Sequence, residues 1–134
     1  TMDELLAQAD YLTFHTQMTP EMKGFVNYDL LRKMKPTAYL INEMRGALVV
    51  DDDLKRALEE GVIAGAALDV VVPEPLPADH PLRRAKNLLL TPHVAGNMTL
   101  GYTCDKSVQM FCDDLENYAA GRPLAHLVDR KRGY

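Results

Sequence analysis

The chain has 134 residues, 47% of them hydrophobic and 25% charged, a composition that suits one globular domain with its own core. Its formal net charge of -4, with no basic blocks and no aromatic–basic interleaving, argues against a nucleic-acid or anionic-membrane surface. Two cysteines, Cys104 and Cys112, form neither a CxxC motif nor a disulfide framework and fit a reducing cytoplasm; no apolar run approaches membrane-spanning length and no signal peptide is visible.

In chain order, residues 3–9 place Leu5, Leu6 and Ala9 at helical spacing, and "YLTFH" at 11–15 is a short β-rich run. "NYDLLRKM" at 27–34 is helical, and Pro36 stops it. "AYLIN" at 38–42 is a strand. "VDDDLKRALEEG" at 50–61 opens on aspartates that cap free N–H groups and suit the helix dipole, and Gly61 ends it. "VIAGAALDV" at 62–70 predicts a nearly all-apolar strand whose small residues suit close packing by a helix. A proline-rich loop fills 73–81, and "NLLL" at 87–90 is a fourth strand. Residues 99–120 predict the longest helix, with Val108, Phe111, Cys112, Leu115 and Tyr118 on one face and Gly121-Arg122-Pro123 as its end.

Continuous apolar strands separated by helices predict a parallel sheet covered on both faces. Right-handed crossovers make it an open, doubly wound α/β layer, and ligands of such sheets lie beyond the carboxyl ends of the strands. On that edge fall His15 after the first strand, and Asn42, Glu43 and Arg45 after the second. Asp69 and Glu74 follow the third, and His93, within "LLLTPHVAGN", follows the fourth.

Three of these residues form a chemical set. An arginine fork such as Arg45 binds a carboxylate through parallel hydrogen bonds and polarises a nearby carbonyl. A histidine such as His93 gives a proton to a forming alkoxide or takes one from an alcohol. A carboxylate such as Glu74 beside the imidazole fixes its tautomer. The set suits interconversion of a 2-keto and a 2-hydroxy acid, with a nicotinamide cofactor as the hydride source that side chains cannot provide. Taken singly, each residue has a plainer reading: His93 as a turn histidine, Glu74 as a solvated charge, Arg45 as a partner of Asp51, Asp69 as a turn cap. His80 and His126 read as surface residues, and Asp51–Asp53 as a helix start rather than a metal site.

The stretch "LINEMRGALVVDDDLKRALEEGVIAGAALDVVVPEPLPADHPL", followed by "NLLLTPHVAG", closely resembles the D-isomer-specific 2-hydroxyacid dehydrogenases. The resemblance covers nearly the whole chain. It implies an NAD(P)-dependent oxidoreductase in which Arg45 binds the substrate carboxylate and carbonyl, Glu74 pairs with His93, and His93 is the acid–base. It also implies that His15, Thr19, Glu43, Met44, Arg45, Asp69, His93 and Gly96 hold NAD or NADP, with no metal. The implied partners are a small 2-keto or 2-hydroxy acid and a second subunit, as a homodimer. Gln17, the pair Glu43-Met44 and Val71 depart from the family's usual residues, and none of these changes removes a catalytic group.

The chain has eight glycines and no GxGxxG phosphate-binding turn. The resemblance therefore implies a partial Rossmann-like domain lacking its first βαβ unit. Residues 1–98 would be the C-terminal half of the NAD-binding domain, and 99–134 a helix and tail that return toward a substrate domain. "TMDELLAQAD" opens directly in a helix pattern and predicts sequence upstream, whereas "LVDRKRGY" reads as a natural end. Such a fragment is expected to be inactive alone. Two other readings stay open: an NAD(H)-sensing binding module of the corepressor type, and a truncated non-catalytic product.

Overall fold

The computed structural model describes residues 1–96 and 100–131. The chain divides into two compact units, Thr1–Ala95 and Gly96–Tyr134. The boundary expected at 98/99 lies outside the described residues.

The first unit alternates helix and strand: α1 Met2–Gln8, β1 Tyr11–Thr13, α2 Tyr28–Leu31, β2 Tyr39–Asn42, α3 Asp51–Glu59, β3 Gly65–Leu68 and β4 Leu88–Leu90. Short 3-10 turns at Pro20–Met22, Gly46–Leu48 and Pro81–Arg84 sit in the connections. The strands form one sheet in the order β1-β2-β3-β4, and every pairing is parallel. The register sets Leu12 against Leu40, Leu40 against Ala66, and Ala66 against Leu88. Sequential order puts every crossover on the neighbouring strand, so all four carboxyl ends meet along one edge. The core gathers Leu6, Leu31, Leu40, Leu54, Ile63 and Leu68, each essentially without solvent contact.

Local chemistry explains the element ends. Thr1 and Glu4 form a reciprocal capping box on α1, and the Asn27 side chain accepts from Leu30 N–H to start α2. Helix α2 is shorter than 27–34 because Lys33 and Met34 donate three residues back, to Leu30 and Leu31, and tighten the chain out of α geometry. The strand predicted over 62–70 shrinks to Gly65–Leu68 for a related reason. Gly61 takes φ 69° after α3, and Val62 N–H returns to Ala57 O at 2.8 Å, so the first residues of that apolar run belong to the helix stop.

The second unit carries α4, Gly101–Ala119, closed by Gly121 at φ 65° and by Arg122 N–H on Asn117 O. Asp114 accepts from Ala125 and His126 N–H and folds the tail back on the helix. The predicted first residue of this helix, Thr99, lies outside the described residues. No residue of α4 is buried, Val108, Phe111, Leu115 and Tyr118 included. Among the described residues, no helix is long and apolar enough to cross a membrane.

One backbone approach fixes the loop after β2. A Cβ added at Gly46 would lie 2.3 Å from the carbonyl carbon of Val71, well inside van der Waals contact. Gly46→Ala is therefore expected to cost about 2–3 kcal/mol in urea denaturation. Gly61→Ala, strained in backbone but free of contacts within 4 Å, should cost about 1 kcal/mol. Equal midpoints for the two variants would contradict this close approach.

Candidate active site

Three loops at the carboxyl edge of the sheet build the site. The loop after β2 is organised by Asn42, whose side chain is fully buried. Its Oδ1 accepts from Met44 N–H at 3.1 Å and its Nδ2 donates to Arg45 O at 2.9 Å. Arg45 Nη1 donates to Met44 O at 2.7 Å, which anchors one edge of the guanidinium and leaves the rest of the fork outward. Met44 itself is buried, and both its backbone polar groups are engaged within the loop. Glu43 and Arg45 are exposed on either side of it.

The loop after β4 is held by Asp69, which is 8% exposed. Asp69 Oδ1 accepts from the Thr91 hydroxyl and from Val94 N–H at 2.9 Å, and Oδ2 accepts from Ala95 N–H at 2.8 Å. The Asp69 carbonyl takes His93 N–H, also at 2.9 Å. This brace holds His93 at φ 55°, a left-handed conformation that costs a non-glycine residue about 1–2 kcal/mol. Burial pushes the Asp69 carboxyl up, but the Thr91 hydroxyl and the two backbone N–H groups outweigh it, and the net shift is downward. The plainer reading of Asp69 as a turn cap thus describes what its carboxylate does here.

The loop after β3 brings Glu74 to His93. Glu74 Oε2 lies 2.8 Å from His93 Nδ1, and Oε1 accepts from Val71 N–H at 3.0 Å. The His93 bond, with help from Val71 N–H, holds the Glu74 carboxyl below its ordinary value. An ionised carboxylate accepts only, so His93 carries its proton on Nδ1 and turns Nε2 outward from the pair. Arg45, Glu74 and His93 line one cavity of about 340 Å³, together with Met18, Gly46 and Val71. A second cavity of about 510 Å³, lined by Asp69, Leu76, Arg83 and Thr91, shares Glu74 and His93 with it.

Other predicted residues sit apart from this cluster. His15 lies two residues past the end of β1; its Nε2 is 3.1 Å from Thr13 Oγ1 and 3.6 Å from Glu43 Oε1. The Thr19 hydroxyl bonds the Glu21 carboxylate and lowers its proton affinity. Gly96 opens the second unit. Arg45 does not pair with Asp51, whose carboxylate instead faces His80 Nε2 at 3.7 Å. His80 is accordingly not a surface residue: it is half-buried, and its Nδ1 accepts from Leu82 N–H. Asn42 has no role in the sequence beyond its place on the edge; an asparagine closing an apolar strand is the signal that marks it.

The polar groups of these loops fit the nicotinamide end of a dinucleotide. An exposed guanidinium, an exposed imidazole and a buried carboxylate with one acceptor site to spare stand at the strand ends, where polar carboxamide and ribose groups find partners. Among the described residues, no group of three or more His, Cys, Asp or Glu side chains suits a metal ion.

Comparison with known proteins gives a consistent picture. Residues 1–95 match the family model described as "D-isomer specific 2-hydroxyacid dehydrogenase, NAD binding domain". A hydroxypyruvate reductase of Blautia hydrogenotrophica is 45% identical over 123 residues, covering 92% of this chain and 38% of that protein. A D-isomer specific 2-hydroxyacid dehydrogenase of Xanthobacter autotrophicus Py2, solved with NADPH and MES, superposes with a TM-score of 0.84 at 34% identity, over 99% of this chain and 53% of that one. A Lactobacillus delbrueckii enzyme of the same description, complexed with NAD, superposes with a TM-score of 0.82 at 31% identity, over 95% and 42% of the two chains. The chain spans between 28% and 43% of the length of the first curated relatives it matches.

The Asp69 brace has a measurable pH signature. Its carboxyl is held below the ordinary value of 3.8, so its contribution to stability is complete above that value and is lost as pH falls through the lower folded-state value. Asp69→Asn should lower the urea midpoint at neutral pH and flatten the loss of stability below about pH 4. A variant with the parent's acid limb would rule the brace out as a source of that dependence.

Proposed function

This chain belongs to the D-isomer-specific 2-hydroxyacid dehydrogenase family, and we propose that it is the nicotinamide-side half of the cofactor domain of an NAD(P)-dependent enzyme that interconverts small 2-keto and 2-hydroxy acids. In this reading 1–98 is that half-domain and 99–134 its C-terminal helix and tail. The observation that carries the proposal is the 2.8 Å contact of Glu74 with His93 Nδ1, in a cavity shared with Arg45 at the sheet's carboxyl edge. The reductase activity named for the relatives favours catalysis over a sensing module.

The proposed steps use this chain's side chains as follows. Arg45, anchored on Met44 O, offers its outward edge to the substrate carboxylate and polarises the adjacent carbonyl. His93 donates the proton from Nε2 to the carbonyl oxygen as it becomes an alkoxide, and takes it back in the oxidative direction. Glu74 keeps the other proton on Nδ1 and stabilises the imidazolium. The hydride for the carbonyl carbon is the chemistry that NAD(P)H supplies when bound. His15, Thr19, Glu43, Met44, Arg45, Asp69, His93 and Gly96 are the proposed cofactor residues, with Met44 serving through the loop it anchors and Asp69 through the turn it braces. A homodimeric, cytoplasmic enzyme completes the proposal; Cys104 and Cys112, both exposed and free, suit a reducing compartment.

The test uses the full-length protein with NADH and glyoxylate or hydroxypyruvate. His93→Gln should lower kcat by about 10²–10⁴-fold, with a much smaller loss of NADH affinity read by fluorescence titration. An unchanged rate would refute the acid–base assignment. The 134 residues alone, without a GxGxxG turn, are expected to give no measurable turnover.

A further inference from the structure

We infer that Arg83 is a positioning residue of the acid–base pair, fixing the loop that aims Glu74 at His93; the inference rests on the dehydrogenase reading for its kinetic consequence and on geometry alone for the rest. Among the described residues Glu74 bonds Val71 N–H and His93 Nδ1, and its side chain is 37% exposed. Its neighbours Pro73, Pro75 and Pro77 have no N–H to give, so three of the five residues 73–77 cannot tie the stretch down by donating. What it offers is carbonyl oxygens: Arg83 takes those of Leu76 and Pro77, and His80 N–H shares that of Pro77 at 3.1 Å.

Arg83 Nη2 donates to Leu76 O, and its Nε donates to Pro77 O at 2.8 Å. Two adjacent carbonyls are thus gripped by two nitrogens of one planar group, which fixes orientation as well as distance. The grip lies two and three residues beyond Glu74. Leu76 is itself buried in the core, so its side chain as well as the arginine holds the loop.

Arg83 is in turn mounted on a firm base. It belongs to the 3-10 turn Pro81–Arg84, whose Leu82 is buried. His80 starts that turn by accepting from Leu82 N–H, while its other ring nitrogen faces Asp51 on the first turn of α3. A continuous path therefore runs from α3 through the 3-10 turn and Arg83 to the loop, then to Glu74 and His93. Both named bonds of Arg83 go to backbone carbonyls, so it acts on Glu74 through the backbone it holds. Arg83 also lines the 510 Å³ cavity beside Glu74 and His93, so the strap lies next to the groups it serves.

The experiment compares the full-length protein with its Arg83→Ala and Arg83→Lys variants, each labelled with ¹⁵N-histidine. The tautomer of His93 is read from its ring-nitrogen shifts at neutral pH, assigned with His93→Gln, and kcat and KM are measured for glyoxylate with NADH. The parent should hold His93 with the proton on Nδ1. Arg83→Ala should release it to a mixture of tautomers and lower kcat by about 10–100-fold, with a much smaller change in KM. Arg83→Lys should fall between, because an ammonium cannot grip two carbonyls as a fork does. A parent-like tautomer in both variants overturns the proposal, and so does a fall in kcat without a change of tautomer, which marks a merely structural role. If Arg83→Ala fails to unfold cooperatively, the lysine variant carries the decision. A parent that reduces no 2-keto acid refutes the dehydrogenase reading, while the tautomer comparison still decides the strap.

Discussion

The carboxylate of Asp69 is the constraint on which the rest of the site depends. It sits where β3 ends and gathers one hydroxyl and two N–H groups from the chain that leaves β4. Its own carbonyl takes a third N–H, that of His93. These bonds offset the cost of a left-handed residue and convert a strand exit into a rigid turn. Without that turn, His93 would be a side chain on a flexible loop, and Glu74 would have no fixed nitrogen to meet. Burial favours the protonated acid at Asp69, and the converging donors reverse that preference, so the brace is charged when the protein works near neutrality.

Much of this was legible in the sequence because parallel sheets write themselves plainly. Buried strands read as apolar runs, and the polar residues that interrupt them fall at strand ends. The alternation of elements, their order and the grouping of Arg45, Glu74 and His93 follow from that. The family model over residues 1–95 agrees with the resemblance read from the motifs. The strand lengths were less legible. Val62 belongs to the stop of α3 because a 6→1 hydrogen bond competes for it, and no periodicity within an apolar run reports such a bond.

The supporting residues were the least legible, for a common reason. Asn42 and Arg83, unlike Asp69 with its legible turn cap, act on backbone groups of residues several places along. Asn42 spans its own loop from inside, and Arg83 reaches back six and seven residues to carbonyls. Sequence patterns name donors and acceptors but not their partners when folding brings the two together. His80 shows the same limit: an apparently superficial histidine becomes half-buried once the 3-10 turn lies beside the N-terminus of α3.

The contact between Gly46 and Val71 has a mechanical meaning. Where a Cβ would meet backbone at 2.3 Å, the loop bearing Arg45 and the strand exit leading to Glu74 cannot slide past one another. Asp69 ties the turn of His93 to that same exit. The loops bearing Arg45 and His93, the proposed anion clamp and proton donor, are thereby parts of a single rigid block. Any motion of this face as a whole would carry the backbones of both loops together, so their spacing is set at folding.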